Sequence, residues 1–86
     1  MPRIEIYTTM TCPFCWAAKR LLKRKGAEFT EVSVSHRPAL RREMTERAGG
    51  RHTVPQIFVD GAHLGDCEDL YVLDQAGKLD PLLEVA

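Results

Sequence analysis

Ile4-Glu5-Ile6-Tyr7-Thr8-Thr9-Met10-Thr11-Cys12-Pro13-Phe14-Cys15-Trp16-Ala17 is the stretch on which the fold turns. Arg3 to Tyr7 alternates, with Ile4 and Ile6 on one side, and predicts a first strand. Pro13 suits the first position of a helix, where its missing N–H is not needed. Ala17, Leu21 and Leu22 then recur at helical spacing, and Gly26 after Lys25 is a stop, so a helix is predicted over 13–25. Cys12 and Cys15 therefore sit where a strand gives way to a helix. A thiol at a helix start faces unpaired backbone N–H groups and the positive end of the helix dipole, and both favour thiolate over thiol. The thiolate is the form that attacks disulfides, and a second cysteine three residues on can close the cycle.

Working outward, Phe29 to Val34 is rich in β-branched residues and predicts a second strand. Pro38 opens a second helix, with Ala39, Leu40, Met44 and Ala48 as its buried stripe and Gly49-Gly50 as its end. Gln56 to Val59 is a third strand, joined through the turn Asp60-Gly61 to a short fourth strand near Ala62 to Leu64. Asp66, Glu68 and Asp69 crowd the first turn of a third helix that carries Leu70, Val72 and Leu73 and ends at Gly77; a short tail helix follows Asp80-Pro81. The order βαβαββα plus the tail helix predicts an α/β fold: a four-stranded mixed sheet flanked by helices, its first two strands parallel through a crossover helix.

With 86 residues, 44% apolar and 28% charged, a single domain over 1–86 is expected. The start, Met1-Pro2-Arg3, runs into the first strand without a signal-like apolar stretch, and no run approaches membrane-spanning length, so a cytoplasmic location and no membrane association are expected. Three cysteines are too few for a disulfide-stapled secreted fold, which leaves a reactive or metal-binding Cys-x-x-Cys in a reducing compartment. The formal net charge is zero but unevenly placed: residues 1–51 hold eleven of the twelve Lys and Arg against five acids, a balance of +6, and residues 52–86 balance at −6. Nucleic-acid binding by bulk charge is not expected; a basic face suited to steering anionic ligands is.

Taken together, Ile6-Tyr7-Thr8 before Cys12-Pro13-Phe14-Cys15, then Thr53-Val54-Pro55-Gln56-Ile57-Phe58, then Gly65-Asp66-Cys67-Glu68-Asp69-Leu70, then Leu79-Asp80-Pro81-Leu82-Leu83 resemble the glutaredoxins, of the small bacterial dithiol type. The resemblance implies a thioredoxin-like fold and glutathione-dependent exchange of thiols and disulfides, with glutathione as reductant and co-substrate and no tightly bound cofactor. Cys12 is then the nucleophile on a protein disulfide or on the glutathione sulfur of a mixed disulfide, and Cys15 the resolving thiol. The glutathione-binding residues by this resemblance are Phe14, Thr53, Val54, Pro55, Asp66, Cys67 and Glu68. In the family the bond before the proline of Thr-Val-Pro is cis, which leaves the backbone of Val54 open to pair with an extended ligand. The γ-glutamyl carboxylate would rest on the N–H groups of Cys67 and Glu68, with Glu68 or Asp69 for its ammonium, and Arg41 and Arg51 or His52 for the glycine carboxylate. The resemblance also implies a monomer whose clients are glutathionylated or disulfide-bonded proteins, ribonucleotide reductase among them.

Three positions depart from the usual pattern of those relatives. Thr9 stands where many carry Lys, Asp66 where Gly is usual, and Phe14 where Tyr is commoner. Thr9 removes a positive charge near the thiolate, and Asp66 puts a negative one near the proposed carboxylate site, which predicts weaker glutathione binding. Two other readings stand beside the first: a redoxin supplied by thioredoxin reductase, and a dimeric carrier of a [2Fe–2S] cluster held by Cys12 and glutathione, which Pro13 and a second cysteine disfavour. Structural zinc on Cys12, Cys15, His63 and Cys67 is disfavoured by the long gap from Cys15 to His63. Cys67 reads as a small buried residue whose backbone does the work, His36, His52 and His63 as ordinary surface or loop residues, and the basic run Lys19 to Lys25 as a solvated helix face. Trp16 is the only tryptophan and adjoins Cys15, so its fluorescence is expected to change when Cys12 and Cys15 are oxidised; an unchanged spectrum would show that the pair does not close.

Overall fold

A computed structural model describes residues 2–84. The elements are β1 (Ile4–Thr8), α1 (Pro13–Arg24), β2 (Thr30–Ser33), α2 (Pro38–Arg47), β3 (Gln56–Val59), β4 (Ala62–Gly65), α3 (Cys67–Gln75) and α4 (Leu79–Leu83). The four strands form one sheet in the order β2-β1-β3-β4, with β1 parallel to β2 and antiparallel to β3, and β3 antiparallel to β4. Among the described residues no helix is long and apolar enough to cross a membrane.

The alternation in β1 distributes its side chains to two cores. Ile4 and Ile6 join Ala18, Leu21 and Leu22 of α1, Ile57 of β3, Cys67 and Leu70 of α3, and Leu79 and Leu83 of α4. Tyr7, pointing the other way, packs with Phe58, Val34 and the α2 side chains Met44 and Ala48. Fully burying one such Leu, Ile or Phe side chain is worth about 1.5–3 kcal/mol, so the helices are held on the sheet chiefly by these contacts. The guanidinium of Arg47 closes the second core, 4.2 Å from the ring centroid of Phe58, with hydrogen bonds to the Tyr7 hydroxyl at 2.6 Å and to Glu5 at 3.1 Å.

Several boundaries and faces differ from the sequence-based expectation. β1 begins and ends one residue later, because Thr8 pairs with Ser33 of β2. α4 starts at Leu79, ahead of Asp80-Pro81; Pro81 is accommodated in the first turn, where backbone N–H groups have no helical partner. Ala39 faces solvent, so α2 buries Met44 and part of Leu40, and Val72 of α3 is 57% exposed. The basic run on α1 is partly engaged: Lys19 meets Glu31 at 3.0 Å and Lys25 meets Asp74 at 2.6 Å.

Glu31 also links the first two strands. The Thr8 hydroxyl, buried at 1% exposure, donates to Glu31 Oε2 over 2.6 Å, and with Lys19 it holds the Glu31 carboxyl below the usual glutamate range. A depressed carboxyl contributes stability that is complete above its unfolded value and is lost as pH falls through the folded one. The advantage of the wild type over Glu31→Gln in urea unfolding is therefore expected in full at about pH 7 and to vanish by about pH 2; a gap independent of pH would refute it.

Candidate active site

The pairing of Tyr7 with Gln56 sets the residues that follow β1 beside those that precede β3. Cys12, at the start of α1, thereby comes 3.7 Å from the carbonyl oxygen of Val54, and the Val54-Pro55 bond is cis. Cys12 is the N-cap of α1: its backbone is extended, its carbonyl accepts the Trp16 N–H at 3.1 Å, and its Sγ accepts the Cys15 N–H at 3.2 Å. A sulfur thus takes the place that Ser, Asp or Asn usually fills at a helix start. That donated hydrogen bond is worth most when the sulfur is an anion.

Cys15 lies one turn deeper and is wholly buried. Burial first, then its hydrogen bond to Cys12 and the charge there, push its thiol up to about 12. Cys67, the first residue of α3, is also buried, and that burial together with Asp66 and Cys12 pushes its thiol up. Of the three free cysteines, only Cys12 is partly exposed. Met10, Phe14 and Trp16, exposed by 71%, 68% and 51%, are the apolar surface nearest to it in sequence.

A groove of about 340 Å³ is lined by Phe14, Thr53, Val54, Pro55, Asp66, Cys67 and Glu68, so the fold brings together all seven residues named from the sequence. On one side Gln56, fully buried, donates from Nε2 to the carbonyl of Thr53 at 3.0 Å, while its Oε1 lies 2.6 Å from His63 Nε2. Because the amide nitrogen is committed to a carbonyl, the amide oxygen faces the imidazole and His63 Nε2 carries the hydrogen. His63 is thus half-buried within a polar chain that supports the groove, not the loop or surface residue expected; burial and then the nearby Arg51 charge push its pKa down. Arg41 donates from Nε and Nη2 to the carbonyl of His52 at 3.1 and 2.9 Å, which braces the same segment.

On the other side, Asp66 is the N-cap of α3 in a reciprocal capping box. Its Oδ1 accepts the Asp69 N–H at 3.0 Å, and Asp69 Oδ2 accepts the Asp66 N–H at 3.1 Å. Gly65 has φ of +134°, and a Cβ there would collide with the Asp69 side chain, so the box needs glycine before it. The Asp66 backbone N–H above all, with Arg51, holds the Asp69 carboxyl below the usual aspartate range. Arg51 Nη2 meets Asp66 Oδ2 at 2.6 Å and Nη1 meets Asp69 Oδ2 at 3.0 Å. The negative charge foreseen at Asp66 is therefore not free. The sequence signals the box by its Asp-x-x-Asp spacing but carries no local mark of Arg51, which is distant in the chain. Among the described residues no group of three or more His, Cys, Asp or Glu is arranged to hold a metal ion.

Comparison with known proteins agrees with this geometry. A family model described as glutaredoxin matches residues 4–64. Glutaredoxin 3 of Escherichia coli is 54% identical over 98% of this chain and all of its own length. The solution structure of glutaredoxin from Brucella melitensis is 55% identical, with a TM-score of 0.85 over 96% of this chain and 89% of that one. A buckwheat glutaredoxin–glutathione complex, 24% identical, has the same fold, with a TM-score of 0.88 over 96% of this chain and 77% of that one. The chain belongs to the glutaredoxin family, with the thioredoxin-like fold, and its chemistry is thiol–disulfide exchange.

The different depths of the thiols predict an order of alkylation. Brief exposure of the reduced, folded protein to iodoacetamide at neutral pH is expected to label Cys12 alone, with Cys15 and Cys67 reacting only after denaturation. Peptide mass mapping checks it, and labelling of Cys15 at the rate of Cys12 would contradict the arrangement.

Proposed function

We propose that the protein is a glutathione-dependent oxidoreductase that reduces protein disulfides and protein–glutathione mixed disulfides, with Cys12 as nucleophile and Cys15 as resolving thiol. The observation that carries this reading is the position of Cys12 Sγ at the start of α1, 3.7 Å from Val54 O and beside the groove that ends at the start of α3. Val54 N–H makes no hydrogen bond within the chain among the described residues, and neither do the N–H groups of Cys67 and Glu68. An extended peptide-like thiol could pair with Val54 and set a carboxylate on the two helix-start amides, in the manner of an added strand and of an anion at a helix N-terminus. Glutathione, a short peptide with two carboxylates, suits both.

In the first step the Cys12 thiolate attacks the glutathione sulfur of a mixed disulfide. The Cys12–glutathione bond forms, the old S–S bond breaks, and the released client thiolate takes a proton from water. A glutathione thiolate then attacks that sulfur, yielding glutathione disulfide and regenerating the Cys12 thiolate. With a protein disulfide, Cys12 is captured by the client, and Cys15 displaces it to form the Cys12–Cys15 disulfide, which two glutathione molecules reduce. Burial is the main brake on Cys15, but the hydrogen bond and charge from Cys12 add to it. Both of those contributions disappear once the Cys12 sulfur is bonded to a client, so capture itself eases deprotonation of the resolving thiol.

This activity belongs in a reducing compartment, the cytoplasm, and disulfide-containing enzymes such as ribonucleotide reductase are fitting clients. An assay that supplies glutathione with glutathione reductase, or thioredoxin reductase instead, separates the two reductants. Turnover is expected with the first. Cys12→Ser is expected to abolish exchange, and Cys15→Ser to spare release of glutathione from mixed disulfides while losing reduction of protein disulfides. Turnover with thioredoxin reductase alone, or equal loss in both variants, would overturn the proposal.

A further inference from the structure

Two carboxylates share one guanidinium at the rim of the groove. Arg51 holds Asp66 at 2.6 Å and Asp69 at 3.0 Å, and each acid is fixed further by accepting a backbone N–H in the capping box. Only Asp66 of the two lines the groove. Arg51 belongs to the segment between α2 and β3 that runs on into Thr53, Val54 and Pro55, so its ion pairs join one wall of the groove to the other. Without it, the start of α3 would carry two uncompensated carboxylates beside the amides of Cys67 and Glu68, in addition to the exposed Glu68.

We propose that Arg51 is a specificity-determining residue: by neutralising Asp66 it admits a carboxylate-bearing thiol at the start of α3, from which Asp66 alone would repel it. The inference rests on the glutathione reading above and gives Arg51, which the family resemblance offers only for the glycine carboxylate, a different task through its ion pair with Asp66. It also accounts for an aspartate at a position that faces an anionic ligand. Asp66 serves as the N-cap of α3, and Arg51 cancels the electrostatic cost of that choice.

The test uses the Cys15→Ser protein, in which a captured thiol stays on Cys12 and can be followed by mass, with no free glutathione present. Two mixed disulfides of one peptide serve as probes, one with glutathione, net charge −1, and one with cysteamine, which carries an ammonium and no carboxylate. Arg51→Gln is expected to slow capture from the glutathione probe about tenfold while leaving the cysteamine probe unchanged or faster. Asp66→Asn keeps an N-cap oxygen and removes the charge, so the double variant restores the net charge of the cluster. It is expected to return to within about twofold of the Cys15→Ser protein on the glutathione probe. The imidazole of His63, which senses Arg51, gives a second readout: its pKa by NMR is expected to rise in Arg51→Gln and to fall back in the double variant.

Equal slowing with both probes would make Arg51 a structural brace and overturn the inference, as would a double variant no faster than Arg51→Gln or a His63 titration that does not move. Each of those results leaves the glutathione reading standing. If the Cys15→Ser protein itself captures thiol from the glutathione probe no faster than from the cysteamine probe, the glutathione site falls, and the role of Arg51 with it.

Discussion

The antiparallel pairing of β1 with β3 is the constraint on which the site depends. Its register sets Tyr7 opposite Gln56, so the chain leaving β1 and the chain entering β3 run side by side at one end of the sheet. Cys12 comes from the first of these and Val54 from the second, and they meet at 3.7 Å. A slip of one residue would turn every side chain of β1 to the other face, exchanging Ile4 and Ile6 with Tyr7 between the two cores. The cores on the two sheet faces therefore hold the register, and the register holds the Cys12 sulfur beside the groove.

Depth distinguishes the two cysteines of the motif. One turn of helix takes the chain from the partly exposed Cys12 to the wholly buried Cys15, and the same turn aims the Cys15 N–H at the Cys12 sulfur. The buried thiol resists ionisation, and its burial keeps it from solvent. The opposite wall of the groove is built with comparable economy. Asp66 starts α3, Gly65 leaves room for Asp69 to complete the capping box, and Arg51, paired with both acids, offsets one of their two charges. Polar groups that would be costly alone are paired.

Much of this was legible in the sequence because the signals are local. Alternation in β1, the proline at the start of α1, the Asp60-Gly61 turn and the glycines after helices mark elements whose observed ends lie within a residue or two of the expectation. The seven groove residues were legible through resemblance to a family, and the groove does gather them. Errors arose where a residue's surroundings come from elsewhere in the chain. Ala39 belongs to the apolar stripe expected of α2 but faces solvent, because α2 presents a narrower face to the sheet than its apolar residues suggest. His63 reads as an ordinary surface or loop residue in the sequence, yet it is half-buried on the hairpin, beside Gln56 and Phe58.

By itself the sequence determined the order of elements, the placing of Cys12 and Cys15 at a helix start, and the apolar alternation that a sheet with helices on both sides requires. Those features rest on hydrogen bonds and periodicities that span a few residues, which a linear reading can count. Only the tertiary structure decided that Arg51 neutralises Asp66, that Gln56 and His63 support Thr53, and that Cys15 is sealed from solvent. Each of these depends on groups brought together by packing across the sheet, and both burial and charge act through distance in space, for which separation along the chain is no guide.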